Sequence, residues 1–289
     1  MKLNETYKLS NGVVIPKLGL GTWFIDDDKV ADAVKTAVNM GYRLIDTAQA
    51  YGNERGVGEG VRTCGLDRKD IFVTSKVAAE AKSYEEAAKS IDETLEKMGL
   101  DYLDLMIIHS PQPWTEFRVD NRYFKENKEV WRALEDAYKD GKVKAIGVSN
   151  FLQDDLENIM EDCKVKPMVN QILMHISNTN IELIEFCKKN DILVEAYSPI
   201  AHGEALKNKE ITIIADKYKV SPAQLCINYV IQLGTVALPK TANPTHMKSN
   251  SEVDFTISDE DMKTLINMKK IESYGEFDIF PVFSGKPMA

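Results

Sequence analysis

Asp46, Tyr51, Lys76 and His109 each end or closely follow a short apolar run in the sequence. A tyrosine, with an ordinary pKa of about 10, is a poor acid at neutral pH, and an ammonium beside it stabilises the phenolate. Lys76 is therefore expected to tune Tyr51. An aspartate next to the lysine keeps it charged and fixed, and an imidazole facing the same point can donate a hydrogen bond to a substrate oxygen. Such a set suits a carbonyl that must become an alcohol. Singly these residues are ordinary, since a strand-end aspartate usually caps a turn and a lone lysine is usually a solvated charge. Their weight comes from converging on one rim.

That convergence requires a particular frame. Apolar runs at 17–21, 42–45, 71–75, 103–108, 145–149, 168–171, 193–197 and 236–238 alternate with amphipathic segments. The intervening segments carry helix punctuation: Val30, Ala33, Val34, Ala37 and Val38 form one face before Gly41, and Ser83 with Glu86 spells a capping box. Ser221, Pro222 and Gln224 spell another, and Gly234 stops that helix. Eight strands alternating with helices predict a (β/α)8 TIM barrel, whose chemistry lies at the C-terminal ends of its strands. An open doubly wound sheet competes, but the G-x-G-x-x-G fingerprint is absent from Leu18-Gly-Leu-Gly-Thr22. Asn11-Gly12 between apolar runs predicts an N-terminal β-hairpin. Residues 111–125, bearing Trp114, Phe117, Tyr123 and Phe124, are an aromatic insertion expected to wall a pocket. An extra helix opens at Ser258, and an aromatic tail runs from Tyr274 to the end.

The 289 residues are read as a single domain, 1–289, and the net charge of -9 provides no positive field for nucleic acid or an anionic membrane. The N-terminal residues lack a signal peptide's apolar core and no run reaches the length of a membrane span, so a cytoplasmic protein is expected. Cys64, Cys163, Cys187 and Cys226 lie far apart with no C-x-x-C pair, which suggests neither a metal site nor a disulfide framework.

Along nearly its whole length the sequence resembles an aldo-keto reductase. The likeness is carried by Arg43-Leu-Ile-Asp-Thr-Ala48 with Tyr51-Gly-Asn-Glu54, by Ser75-Lys76, by Ile108-His109 and by Ile146-Gly-Val-Ser-Asn-Phe151. The resemblance implies that Asp46, Tyr51, Lys76 and His109 are the catalytic tetrad and that a nicotinamide cofactor binds without a Rossmann unit. Ser149, Asn150 and Gln171 would hold its carboxamide, Tyr197 would stack on its ring, and Gly21, Thr22 and Ser198 would line its groove. Lys240 and Thr241 match residues that hold the adenosine 2′-phosphate, and Asn250 matches an adenine contact.

The chain departs from the family pattern at His246, where an arginine is usual, and at Ser249, where a glutamate is usual. Histidine cannot make a guanidinium's permanent bidentate contact, so NADPH is the expected cofactor with NADH possible. Trp23 and Trp114 are expected to wall the substrate pocket with Ser110, where many relatives carry tryptophan. His175 and His202 are read as structural. The expectation is a reductase of small-molecule aldehydes or ketones, a monomer or weak dimer. The rivals are a Schiff-base enzyme acting through Lys76 and a non-catalytic cofactor-binding protein on the same fold.

Overall fold

A computed structural model describes residues 2–288. Strands β1 (Thr6–Lys8) and β2 (Val14–Pro16) pair antiparallel, with Tyr7 opposite Ile15. The predicted Asn11-Gly12 turn is present, but inside a longer loop, 9–13, so the first hairpin strand precedes Leu9. Gly12 adopts φ +91°, and the Asn11 carboxamide accepts from the Val13 N–H while donating to the Lys144 carbonyl. Lys144 lies just ahead of strand β7 (Ile146–Ser149), so the hairpin sits at the N-terminal end of the barrel.

The remaining strands are β3 (Leu20–Gly21), β4 (Leu44–Asp46), β5 (Phe72–Val77), β6 (Leu105–Ile108), β8 (Val169–Leu173), β9 (Leu193–Tyr197) and β10 (Val236–Leu238). All are parallel to their neighbours, in sequential order from β3 to β10. Bridges from Leu18 to Ala237 and from Gly21 to Lys240 join first to last and close the (β/α)8 barrel. The predicted strand 17–21 shrinks to two residues flanked by such bridges. Strands β4, β5, β6 and β7 are buried at every position. Helices covering the outer face make both sides of a parallel sheet apolar, which is why these runs are continuous rather than alternating.

Helix α1 (Val30–Asn39) buries the predicted face, and α2 (Glu54–Thr63) follows β4. In α3 (Tyr84–Met98) Ser83 accepts from the Glu86 N–H, while the Glu86 carboxylate reaches one residue further back, to the Lys82 N–H. Gly99, at φ +62°, ends this helix in a left-handed cap that costs a side-chain-bearing residue about 1 kcal/mol. Helices α4 (Phe124–Lys139), α5 (Gln153–Met160) and α6 (Ile181–Lys189) continue the alternation. Both α7 (Lys209–Lys217) and α8 (Pro222–Gln232) precede β10, and α8 opens with the complete Ser221–Gln224 capping box. Beyond β10 come α9 (Pro244–Ser251), α10 (Asp259–Ile266) and a tail that contains the short α11 (Pro281–Ser284). No helix among the described residues is long and apolar enough to cross a membrane.

Candidate active site

Asp46 is the last residue of β4, and Lys76 lies near the end of β5. A single helical turn, Gln49–Tyr51, ends on Gly52 at φ +68° and carries Tyr51 back over these strand ends. Gln49 pins the turn, accepting from the Ala78 N–H and donating to the Ser90 carbonyl and the Thr94 hydroxyl. The Lys76 ammonium is fully enclosed and has three acceptors: Asp46 Oδ2 at 2.7 Å, the Thr47 carbonyl at 2.7 Å and Tyr51 Oη at 3.3 Å. An ammonium carries three N–H donors and no acceptor, so Tyr51 Oη accepts here and its own proton stays free for another partner.

Burial is the largest influence on both groups of the Lys76–Tyr51 pair. It pushes the Tyr51 phenol up; Lys76 pulls it down as the sequence implied, Asp46 opposes Lys76, and the balance lies above the ordinary tyrosine value. For Lys76, burial alone favours the neutral amine, but Asp46 and Tyr51 outweigh it and raise the lysine above its ordinary value. At neutral pH the site therefore holds an ammonium and a protonated phenol.

His109 follows β6, and its N–H donates to the Val77 carbonyl at 3.0 Å. The ring meets Tyr51 and Trp114 edge to face, with centroids 5.7 and 5.2 Å away. Burial first, and the Lys76 charge second, hold it well below the usual histidine range, so the imidazole is neutral. Its Nδ1 is buried and has no hydrogen-bond partner among the described residues. An orphaned acceptor is tolerated better than an orphaned N–H, which assigns the single ring proton to Nε2.

Tyr51 and His109 line a cavity of about 210 Å³, otherwise walled by Trp23, Ala50, Trp114 and the tail residues Phe280, Pro281, Val282 and Met288. The tail thus crosses the barrel mouth, tied down by the Met288 N–H donating to the Trp114 carbonyl. Ser149, Asn150, Gln171 and Tyr197 form the cavity's polar side. Asn150 donates to the His109 carbonyl and to Ser149 Oγ and accepts from Tyr197 Oη. The Gln171 amide donates both protons inward, to Asp46 Oδ1 and Glu195 Oε2, each at 2.8 Å. Its carbonyl oxygen is left as the acceptor for the cavity.

Tyr197 also borders a second groove of about 470 Å³, along Gly21, Thr22, Ser198, Leu238 and Lys240. Asn150 and Ser198, each directly after a strand, adopt left-handed backbone at φ +62° and +50°. Non-glycine residues in that region carry strain of about 1 kcal/mol or more, a feature that clusters at ligand sites. These donors and acceptors fit a nicotinamide cofactor: a free amide carbonyl for a carboxamide NH2, a tyrosine ring between the two hollows, and the Lys240 side chain lining the groove.

The phosphate-end residues cluster along the chain where α9 begins. The Thr241 hydroxyl accepts from the Asn243 N–H, His246 is exposed in the first turn of α9, and Asn250 is buried in its last. Thr241, His246 and Asn250 lie outside the residues lining the groove. Ser110 does not line the cavity either. It is fully buried, and its hydroxyl accepts from the Gln112 N–H, because Trp114 on the insertion has taken the wall position.

Three features escaped the sequence reading. Glu195 stands at the middle of β9, fully buried beside Gln171, and its only signal is an acid within an otherwise apolar strand. His202 lines the groove, its ring packed against Phe277 at a 36° tilt with centroids 4.0 Å apart, and burial lowers it to about 4. Tyr274 in the tail meets His175 Nε2 at 2.8 Å, a long-range pairing without local signature.

Residues 17–270 match the model of the aldo/keto reductase family. The chain is 41% identical over 275 residues to a glyoxal reductase of Bacillus subtilis, covering 94% of this chain and 96% of that one. An aldo/keto reductase structure from Brucella melitensis superposes with a TM-score of 0.84 at 39% identity, over 91% of this chain and 98% of the other. A Bombyx mori aldo-keto reductase in complex with NADP superposes with a TM-score of 0.84 at 28% identity, over 95% of each chain. The protein belongs to the aldo/keto reductase family, enzymes of carbonyl reduction that bind nicotinamide cofactors.

Proposed function

We propose that the protein reduces aldehydes or ketones to alcohols, with NADPH as preferred cofactor and Tyr51 as proton donor. The observation that supports this reading is the filled coordination of Lys76, which makes Tyr51 Oη an acceptor and leaves its proton free for the cavity. A substrate carbonyl oxygen placed between Tyr51 and His109 receives a hydrogen bond from His109 Nε2 and then the phenolic proton. The nicotinamide, when bound, supplies the hydride that goes to the carbonyl carbon. As the phenol loses its proton, the adjacent ammonium stabilises the phenolate, and Asp46 holds that ammonium in place. Asn150 and Gln171 would hold the carboxamide and Tyr197 would back the ring. Lys240, with Thr241 ahead of α9 and His246 in its first turn, would hold the 2′-phosphate.

A Schiff base at Lys76 is disfavoured, because nucleophilic attack needs a neutral amine and this one is held charged by three acceptors. The mostly apolar cavity, together with the B. subtilis glyoxal reductase and a Saccharomyces cerevisiae aldehyde reductase 38% identical, puts small uncharged aldehydes and dicarbonyls first. A panel of such compounds with NADPH and NADH tests the reading. Cofactor oxidation that requires an added carbonyl, faster with NADPH, is expected; tight cofactor binding with no turnover on any carbonyl would favour a non-catalytic binding protein.

A further inference from the structure

Glu195 is a fully buried carboxyl outside the four residues assigned to the chemistry. It is the cross-strand partner of Gln171, and alternation along β9 places it on the same side as Tyr197, one layer deeper in the barrel. Its Oε2 accepts a proton of the Gln171 amide at 2.8 Å, and its Oε1 has no hydrogen-bond partner among the described residues. The other proton of the same amide goes to Asp46 Oδ1 at 2.8 Å. A carboxyl without a charged partner is costly to bury, so its presence in an apolar strand calls for a role.

We propose that Glu195 is a positioning residue that, together with Asp46, brackets the Gln171 NH2 and so locks the Gln171 carbonyl toward the nicotinamide carboxamide. The inference rests on the cofactor reading above. An amide held by one acceptor can rotate about that bond, whereas two acceptors on two strands fix its plane. Glu195 therefore acts on the nicotinamide half of the cofactor through Gln171 and touches neither substrate nor cofactor. It also ties the cofactor amide to the Asp46–Lys76–Tyr51 chain, since Asp46 is shared by both.

The test is a fluorescence-quenching titration of the full-length protein with NADP+ and with 2′-phospho-ADP-ribose, which lacks only the nicotinamide. Glu195→Leu is expected to weaken NADP+ by about threefold to tenfold, the worth of one loosened neutral hydrogen bond, and to leave phospho-ADP-ribose within about twofold. Glu195→Gln, which keeps an acceptor at the same reach, is expected to restore NADP+ binding to within about twofold of the original. Equal weakening of both ligands, no weakening of either, or a glutamine variant as impaired as the leucine one would overturn the proposal. Glu195→Met replaces the leucine variant if that fails to fold; failure of both would mark Glu195 as structural and also overturn it. If the unmodified protein binds neither ligand, the cofactor reading itself has failed.

Discussion

Replacing Lys76 by methionine should damage both folding and turnover, and the geometry gives the size of each loss. Methionine can follow the lysine stem, so the main change is loss of an enclosed ammonium. Asp46, only 3% exposed, would keep a single neutral donor, the Gln171 amide, on Oδ1, and nothing on Oδ2. Removing one partner of a buried pair typically costs about 3–5 kcal/mol, because the other charge is left uncompensated. Turnover should fall by about 10²- to 10⁴-fold, since burial and Asp46 then raise the Tyr51 phenol unopposed. The cause can be isolated by adding Asp46→Asn, which removes the stranded charge. The double variant should regain about 2 kcal/mol or more over Lys76→Met while staying as slow. Denaturant unfolding followed by tryptophan fluorescence, with cofactor oxidation measured in parallel, reads both quantities. A Lys76→Met protein within about 1 kcal/mol of the original, or a double variant no more stable than the single, would refute the buried-pair reasoning.

His246→Arg should tighten NADPH relative to NADH by about tenfold at low salt and less at high salt, because only NADPH carries the phosphate a guanidinium can grip; parallel titrations of the two cofactors check this. Glu195 sets a pH dependence of stability: burial first, and the Asp46 charge second, raise its carboxyl from 4.5 to about 7, with Gln171 and Lys76 opposing. Between those values the folded state binds more protons than the unfolded one, so stability falls as pH rises through the window, by about 3 kcal/mol in all. Unfolding at about pH 5 and pH 8 should show Glu195→Gln gaining on the original protein chiefly at the higher value.

The barrel was legible because a parallel sheet covered by helices writes itself as short apolar runs separated by capped amphipathic segments. The Ser221–Gln224 box and the buried runs of β5 and β6 lie where that pattern puts them. Edges were less legible. The hairpin begins at Thr6 because Tyr7 opposite Ile15 decides the register, not the apolar residues nearest the turn. Asp46, Tyr51, Lys76 and His109 could be gathered from the strand-end rule alone, and the structure brings them to one mouth. What spacing cannot express is desolvation, so the net direction of the Tyr51 shift emerged only with its burial. The tail's rings, Phe277 and Phe280 against Trp23, have no local period, and their placement follows from contacts between distant segments.

Tyr51→Phe removes one oxygen and nothing else from the proposed proton path. With the variant's cofactor affinity confirmed by fluorescence titration, its rate of NADPH oxidation with a good aldehyde should fall by about 10²- to 10⁴-fold, the usual contribution of general acid catalysis. Unchanged cofactor binding with a rate within about threefold of the original would contradict Tyr51 as the proton donor.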